Sequence, residues 1–315
     1  MLDLNFTISS INGRNQRLDV FLSENIQGLT RSQVQEAIFE GKVMVNGSAS
    51  KSSYRLKQGD RITIKTEPND EDFILVPENI PLKIIYQDDS VIIIDKPSGL
   101  VVHPGSGHQD HTLSNALVYH FPWLKEIGLP DRPGIVHRLD KDTSGIMVIA
   151  ANREAYSDLI RQFKSRKINK TYVGLVWGSF LQDSGQLLWP IGRHSKYGDR
   201  MSIKTKKARS AETRFKVVKR YQDYSLLDIY PLTGRTHQIR VHLAASGHPI
   251  VGDEVYGRKK VKTGCPRLFL HAYQLVFQHP SQGIKMEFVS HLHNDLQDFL
   301  DLLKDQEQKG SDEVK

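Results

Sequence analysis

The stretch HRLDKDTSG (137–145) sets Asp140 and Asp142 among His137, Arg138 and Lys141, between two apolar runs, GIVH and GIMVIA, that read as buried strands. A carboxylate among cations is the raw material of nucleophilic or general acid–base catalysis, which needs it ionised and held in one direction. Composition alone offers a plainer reading, since Asp, Thr, Ser and Gly are ordinary turn residues. A second dense stretch, GRTHQIRVH (234–242), brings Arg235, His237, Arg240 and His242 close together in sequence. If a helix begins after Gly234, Arg235 lies at its amino-terminal end, where the helix dipole disfavours a cation. A cation placed against that preference points to an anionic partner. With Asp140 as the partner, the pair would keep the carboxylate ionised and aimed. An ordinary structural ion pair has the same signature.

Other chemistries lack their residues. The chain has 13 His and one cysteine, Cys265, but no HExxH and no paired cysteines with zinc-ligand spacing. No GxSxG elbow is present. HPGSGHQDH (103–111) is Gly-rich but lacks the Lys-Ser/Thr ending of a phosphate-binding loop. It reads as a turn or a loop on the substrate side. No metal and no cofactor is expected.

The elements that must position these residues fall into two blocks. In the first (16–65), Leu18, Phe21 and Leu22 have helical spacing. TRSQ opens a second helix, with Thr30 as its cap and Gly41 marking its end. Two short alternating strands, KVMVNG and DRITIK, complete a compact α/β module. Residues 1–15 read as an extension and the acidic, proline-containing TEPNDEDFILVPENI (66–80) as a linker. From Pro81 to about residue 303, many β-like runs follow one another with few helical patterns. That order predicts an α+β domain around a mixed, largely antiparallel sheet. The charged tail (304–315) reads as frayed.

At 315 residues and 38% hydrophobic content the chain can build two ordinary cores. No apolar run is long enough to span a bilayer, no signal peptide is visible, and a single cysteine fits a reducing compartment. These features predict a soluble, cytoplasmic protein with no membrane partner. The formal net charge of +7 suggests a polyanionic partner, and the stretch 193–209 concentrates seven Lys or Arg around one acid, Asp199.

Read as motifs, RLDVFL, TRSQVQEAI, GKVMVNG and LKQGDRI resemble, in order, the S-four-type RNA-binding domain. IDKPSGLVVHPGSG, HRLDKDTSG, KINKTYVGLV, LTGRTHQIRVHLAASGHPIVGDEVYG and LFLHAYQLVFQHP resemble the RluA-type RNA pseudouridine synthases over about residues 16–295. The resemblance implies the pseudouridine synthase fold and conversion of uridine to pseudouridine in RNA without a cofactor. Its implied partner is RNA, as large-subunit (23S) rRNA or its precursor, met by a monomer. It assigns Asp140 as the essential carboxylate, Arg235 as its salt-bridge partner and Tyr172 as an aromatic platform beside the uracil. Arg138 would occupy the stack vacated by the extruded base, and Leu270 would pack on the other base face. His137, Lys170, Arg17, Arg31, Lys42, Lys206 and Lys207 complete the expected RNA-binding set. Asp140 could attack sugar or ring, or remove a sugar proton; the sequence does not choose. Other 23S uridines, or RNA binding without catalysis on the same fold, are the alternative readings.

Overall fold

The computed structural model describes residues 2–9, 13–26, 31–66, 74–105, 108–198, 200–258 and 264–312. The chain divides into two compact units, Met1–Ile74 and Leu75–Lys315.

In the first unit, helices α1 (Leu18–Asn25) and α2 (Arg31–Phe39) pack on strands β1 (Leu2–Thr7), β2 (Val43–Val45), β3 (Ser48–Ala49) and β4 (Arg61–Thr66). The sheet order is β1-β4-β2-β3. Leu18, Phe21, Leu22, Val34 and Ile38 are buried against Val43, Val45, Ile62 and Ile64, the stripe that helical spacing predicts. Gly41 ends the second helix at φ +74, where a side chain is disfavoured. The cap expected of Thr30 lies outside the described residues. Residues 2–7, which read as an extension, form an antiparallel edge strand along β4. Alternating Leu2, Leu4 and Phe6 carried that signal.

The second unit begins with strands β5 (Lys83–Gln87) and β6 (Val91–Lys96), helix α3 (Leu113–His120), and the short pair β7 (Gly128–Leu129) and β8 (Arg132–Pro133). Strand β9 (Ser144–Ala150), helix α4 (Arg153–Lys164), and strands β10 (Asn169–Trp177) and β11 (Ser184–Leu187) follow. A short hairpin, β12 (Gly192–Arg193) and β13 (Met201–Ser202), precedes strands β14 (Thr213–Arg220) and β15 (Tyr224–Pro231). Helix α5 (Gln238–Ala245), strands β16 (Leu270–Gln278) and β17 (Lys285–Val289) and helix α6 (Asn294–Asp312) close the chain. Helix α6 runs through the stretch that read as a frayed tail.

Nine strands form one sheet in the order β11-β14-β15-β10-β16-β9-β6-β5, with β17 also on β16. Every pairing is antiparallel except β9 with β16, so the sheet is mixed as the sequence predicts. The parallel pairing joins two separate cores, one around β6 and β9 and one around β10, β15 and α5. It also explains Gly145. A Cβ there would lie 2.3 Å from the Ala272 carbonyl oxygen, so the register His271–Ser144, Ala272–Gly145 requires glycine. The glycine of DTSG belongs to strand β9 and lets the loop before it reach the middle of the sheet.

Candidate active site

The loop from His137 to Thr143 is pinned on several sides. Leu139 is buried between exposed Arg138 and half-buried Asp140, an in-and-out alternation that fixes both side chains. The Thr143 amide donates to the Asp140 carbonyl (3.2 Å), the Gly99 amide to the Lys141 carbonyl (2.9 Å), and the Ser98 hydroxyl to the Asp142 carbonyl (2.8 Å). Under the loop sits Lys96, 0% exposed at the end of β6. Its Nζ donates to the carbonyls of Pro97, Leu100 and Lys141 at 2.7, 2.9 and 3.0 Å, using every N–H of an ammonium. Burial pushes this amine down to about 7, against the pull of Asp142 and Asp140.

Asp140 faces helix α5. Its Oδ2 lies 3.7 Å from Nη1 of Arg240, with the aspartate side chain 17% exposed. Arg240 is itself buried. It donates to both oxygens of fully buried Asp253 at 2.8 and 2.9 Å, and its guanidinium lies 5.2 Å from the centre of the Tyr256 ring. Asp253 also accepts the Val255 and Tyr256 amides, each at 2.9 Å. Burial raises the Asp253 carboxyl, but Arg240 and these amides outweigh it and the net direction is down.

The pairing expected of Arg235 therefore belongs to Arg240. Helix α5 starts at Gln238, not directly after Gly234, because His237 takes the left-handed conformation at φ 53 and Gln238 clamps the turn. The Gln238 Oε1 accepts from the Thr233 hydroxyl and the Arg235 amide, while its Nε2 donates to the Glu212 carbonyl. Arg235 is left outside the helix, with Nε donating to the Ser210 carbonyl at 3.2 Å. The cation set against the helix dipole is Arg240, in the first turn, and two carboxylates answer it.

Tyr172 stands on β10 where the pairing with β16 shifts register between Thr171 and Tyr172, a bulge of the kind that re-aims a side chain. Burial and then the Asp140 charge raise its phenol above the ordinary value, so it stays protonated at neutral pH. His103, buried, has Nδ1 2.9 Å from the Pro104 carbonyl; as the donor there it leaves Nε2 to accept from Arg138 Nη1 at 3.3 Å. Burial lowers the His103 imidazole, so the neutral form that this contact needs is favoured.

Other expected contacts resolve differently. The His137 Nε2 accepts the Val148 amide (3.0 Å) and its ring stacks on Phe163 at 4.7 Å. Burial, then Lys170, push it down to about 3, so it is a neutral brace of the loop, not a cation for RNA. Leu270 is 2% exposed within the second core, so it offers no open platform to a base. Arg17 holds buried Asp19 at 2.9 and 3.0 Å. Lys42 pairs with Glu40 at 2.9 Å on the surface. Lys206 and Lys207 are exposed in the turn after β13, and the Arg31 side chain lies outside the described residues. The sequence assigned no role to Lys96, His103 or Asp253, and it set Arg240 in the second dense stretch without pairing it to Asp140. Their signals were present: Lys96 and Asp95 continue the apolar run VIII, and Arg240 lies six residues from Gly234.

Among the described residues no group of three or more His, Cys, Asp or Glu could hold a metal ion, and no helix is long and apolar enough to cross a membrane.

Comparison with known proteins identifies the family. A family model described as RNA pseudouridylate synthase matches residues 90–245, and one for the S4 domain matches residues 16–62. An uncharacterized RNA pseudouridine synthase of Aquifex aeolicus is 43% identical, covering 88% of this chain and 90% of its own. Ribosomal large subunit pseudouridine synthase D of Nitrosomonas europaea is 40% identical over 91% of this chain and 84% of its own. Among solved structures, human RNA pseudouridylate synthase domain containing 1 aligns with a TM-score of 0.57 at 28% identity, covering 74% of this chain and 90% of that one.

Proposed function

This chain belongs to the RNA pseudouridine synthase family, and on that premise we propose that Asp140 is its catalytic carboxylate, acting on a uridine extruded from large-subunit (23S) rRNA. The family reaction isomerises uridine within RNA, and the S4 domain match adds an RNA-binding module. The observation that carries the assignment of Asp140 is its setting: a half-buried carboxylate on a pinned loop, 3.7 Å from a cation that buried Asp253 holds in place. Preorganised charge of this kind acts on a developing transition state without reorganising during the reaction.

Each neighbour has a task in this reading. Arg240 aims Asp140 and supplies a fixed positive charge beside it. Tyr172, protonated and close enough to Asp140 to feel its charge, flanks the uracil and can hold or pass a proton at its hydroxyl. Lys96 holds the loop backbone from below. A stacked base cannot reach Asp140, so the uridine must leave the helix at a cost of a few kcal/mol. Exposed Arg138, steadied by His103, fills the space the base leaves. The exposed lysines near 206 hold the backbone through phosphate contacts. The likeness to large-subunit enzymes favours 23S rRNA and so a cytoplasmic site of action.

RNA tritiated at uracil carbon five tests the assignment. The wild type should release tritium, and Asp140→Asn should release none while binding the same RNA. Normal turnover by Asp140→Asn, with deamidation excluded by mass spectrometry, would remove Asp140 from its role. Mapping pseudouridines in 23S rRNA with and without the gene checks the substrate.

A further inference from the structure

We infer that the cleft between the α4–β10 turn and the β14–β15 strands is a subsite for one phosphate-bearing nucleotide of the RNA strand flanking the target, with Lys170 as its anion anchor. The inference rests on the RNA isomerase reading and adds a binding site to it. The cleft has a volume of about 520 Å³, and its lining includes Arg166, Lys170 and Arg214 but no carboxylate. That volume lies in the range of about 300–1,000 Å³ typical of sites for small ligands.

Lys170 is half-buried near the start of β10, and burial pushes its amine below the ordinary value. Among the described residues it makes no hydrogen bond or ion pair, and even partial burial penalises a cation without a partner. Its charge is felt by the His137 ring, which braces the Asp140 loop. Lys170 lies two residues before Tyr172 on β10, about 7 Å away along the strand. An anion is thus wanted beside the candidate base platform, one nucleotide or so from the target.

The other lining groups fit a phosphodiester better than a carboxylate side chain or a free metal. Arg166 is exposed at the cleft edge in the left-handed conformation, φ 58, which turns the chain sharply out of α4. Arg214 is oriented by Glu212 at 2.9–3.0 Å. Asn169, Thr171 and Tyr230 add uncharged donors and acceptors for a ribose. Phosphate oxygens accept all three hydrogens of an ammonium, and the remaining arginine edges meet the same group.

Lys170→Met tests this with two readouts that a structural lysine would not move together. Losing an unpaired, half-buried cation should leave the thermal midpoint at or above that of the wild type. KM for the RNA should rise about tenfold while kcat falls less than threefold, the signature of a lost charged hydrogen bond in binding. The slope of log affinity against log salt should fall by about 0.7–0.9, one phosphate contact. RNAs with a single neutral methylphosphonate, walked through the positions around the target, locate the partner. At one position the wild type should lose the same tenfold and Lys170→Met should lose nothing more. A lower thermal midpoint with unchanged KM, or penalties that multiply at every position, would overturn the subsite. So would uridine monophosphate or inorganic phosphate raising the thermal midpoint of the wild type, but not of Lys170→Met, as much as the RNA does. That result would assign the cleft to a free phosphate ligand. Tritium release by the wild type on unmodified RNA reports separately on the isomerase reading, and the salt slope reads the subsite even where no tritium is released.

Discussion

Replacing Arg240 by methionine should separate what this guanidinium does for stability from what it does for Asp140. It holds Asp253 through two hydrogen bonds at 2.8 and 2.9 Å, and the Asp253 side chain is 0% exposed. Removing one member of such a buried pair costs about 3–5 kcal/mol, because the other charge is stranded. Asp253→Asn should relieve most of that loss. Its Oδ1 can still accept the Val255 and Tyr256 amides, and no buried charge remains. The contact with Asp140 is a different quantity. Two unit charges 3.7 Å apart interact by roughly 4–5 kcal/mol at an effective dielectric of about 20. With Asp140 17% exposed, water reduces this to about 2–3 kcal/mol, or roughly 30- to 150-fold in rate. Urea unfolding and tritium release, measured on Arg240→Met and on Arg240→Met/Asp253→Asn, distinguish the two. The single variant should be destabilised and slow. The double variant should regain most of its stability and stay slow by the same factor. If activity returns with stability, Arg240 serves only the fold and its role toward Asp140 is wrong.

Two further outcomes follow from charge and hydrogen bonding. Burial alone would raise the carboxyl of Asp95, yet hydrogen bonds from His293 (2.9 Å) and Lys83 (3.0 Å) outweigh it and bring the value down to about 2. Unfolded, the group titrates near 3.8, so its contribution of about 2 kcal/mol is complete above about pH 4 and is lost as pH falls towards 2. The stability gap between wild type and Asp95→Asn in urea should therefore close over that interval, and a gap constant down to pH 2 rejects the pairing. His103→Leu removes the acceptor that steadies Arg138 and should raise KM about fivefold on an RNA whose target is base-paired. The effect should shrink when the target uridine is mismatched and costs less to extrude, and His103→Gln, which keeps an acceptor, should recover most of the loss. Equal losses on both RNAs would show that His103 does not act through extrusion.

The sequence alone carried the class of fold and marked the loop proposed as catalytic. Asp140, Tyr172 and Arg138 were legible as a set because they sit in uninterrupted motifs. A run of strands with few crossover helices announced a mixed antiparallel sheet, and the helix stripes of the first unit matched its core. Sequence could not choose which arginine of GRTHQIR meets Asp140. That choice depends on where α5 begins, and Gln238 sets it by gripping Glu212, a residue on another strand's approach. Nor could it show that His137 braces the loop, since its partners, the Val148 amide and the Phe163 ring, come from different elements. Lys96 and Lys170 are both lysines on strands. Three carbonyls collected by the fold make one a clamp, and the other lines a cleft without a carboxylate. Residue type is a property of the chain, but burial and partners are properties of the assembled sheet, and they decide what each charge does.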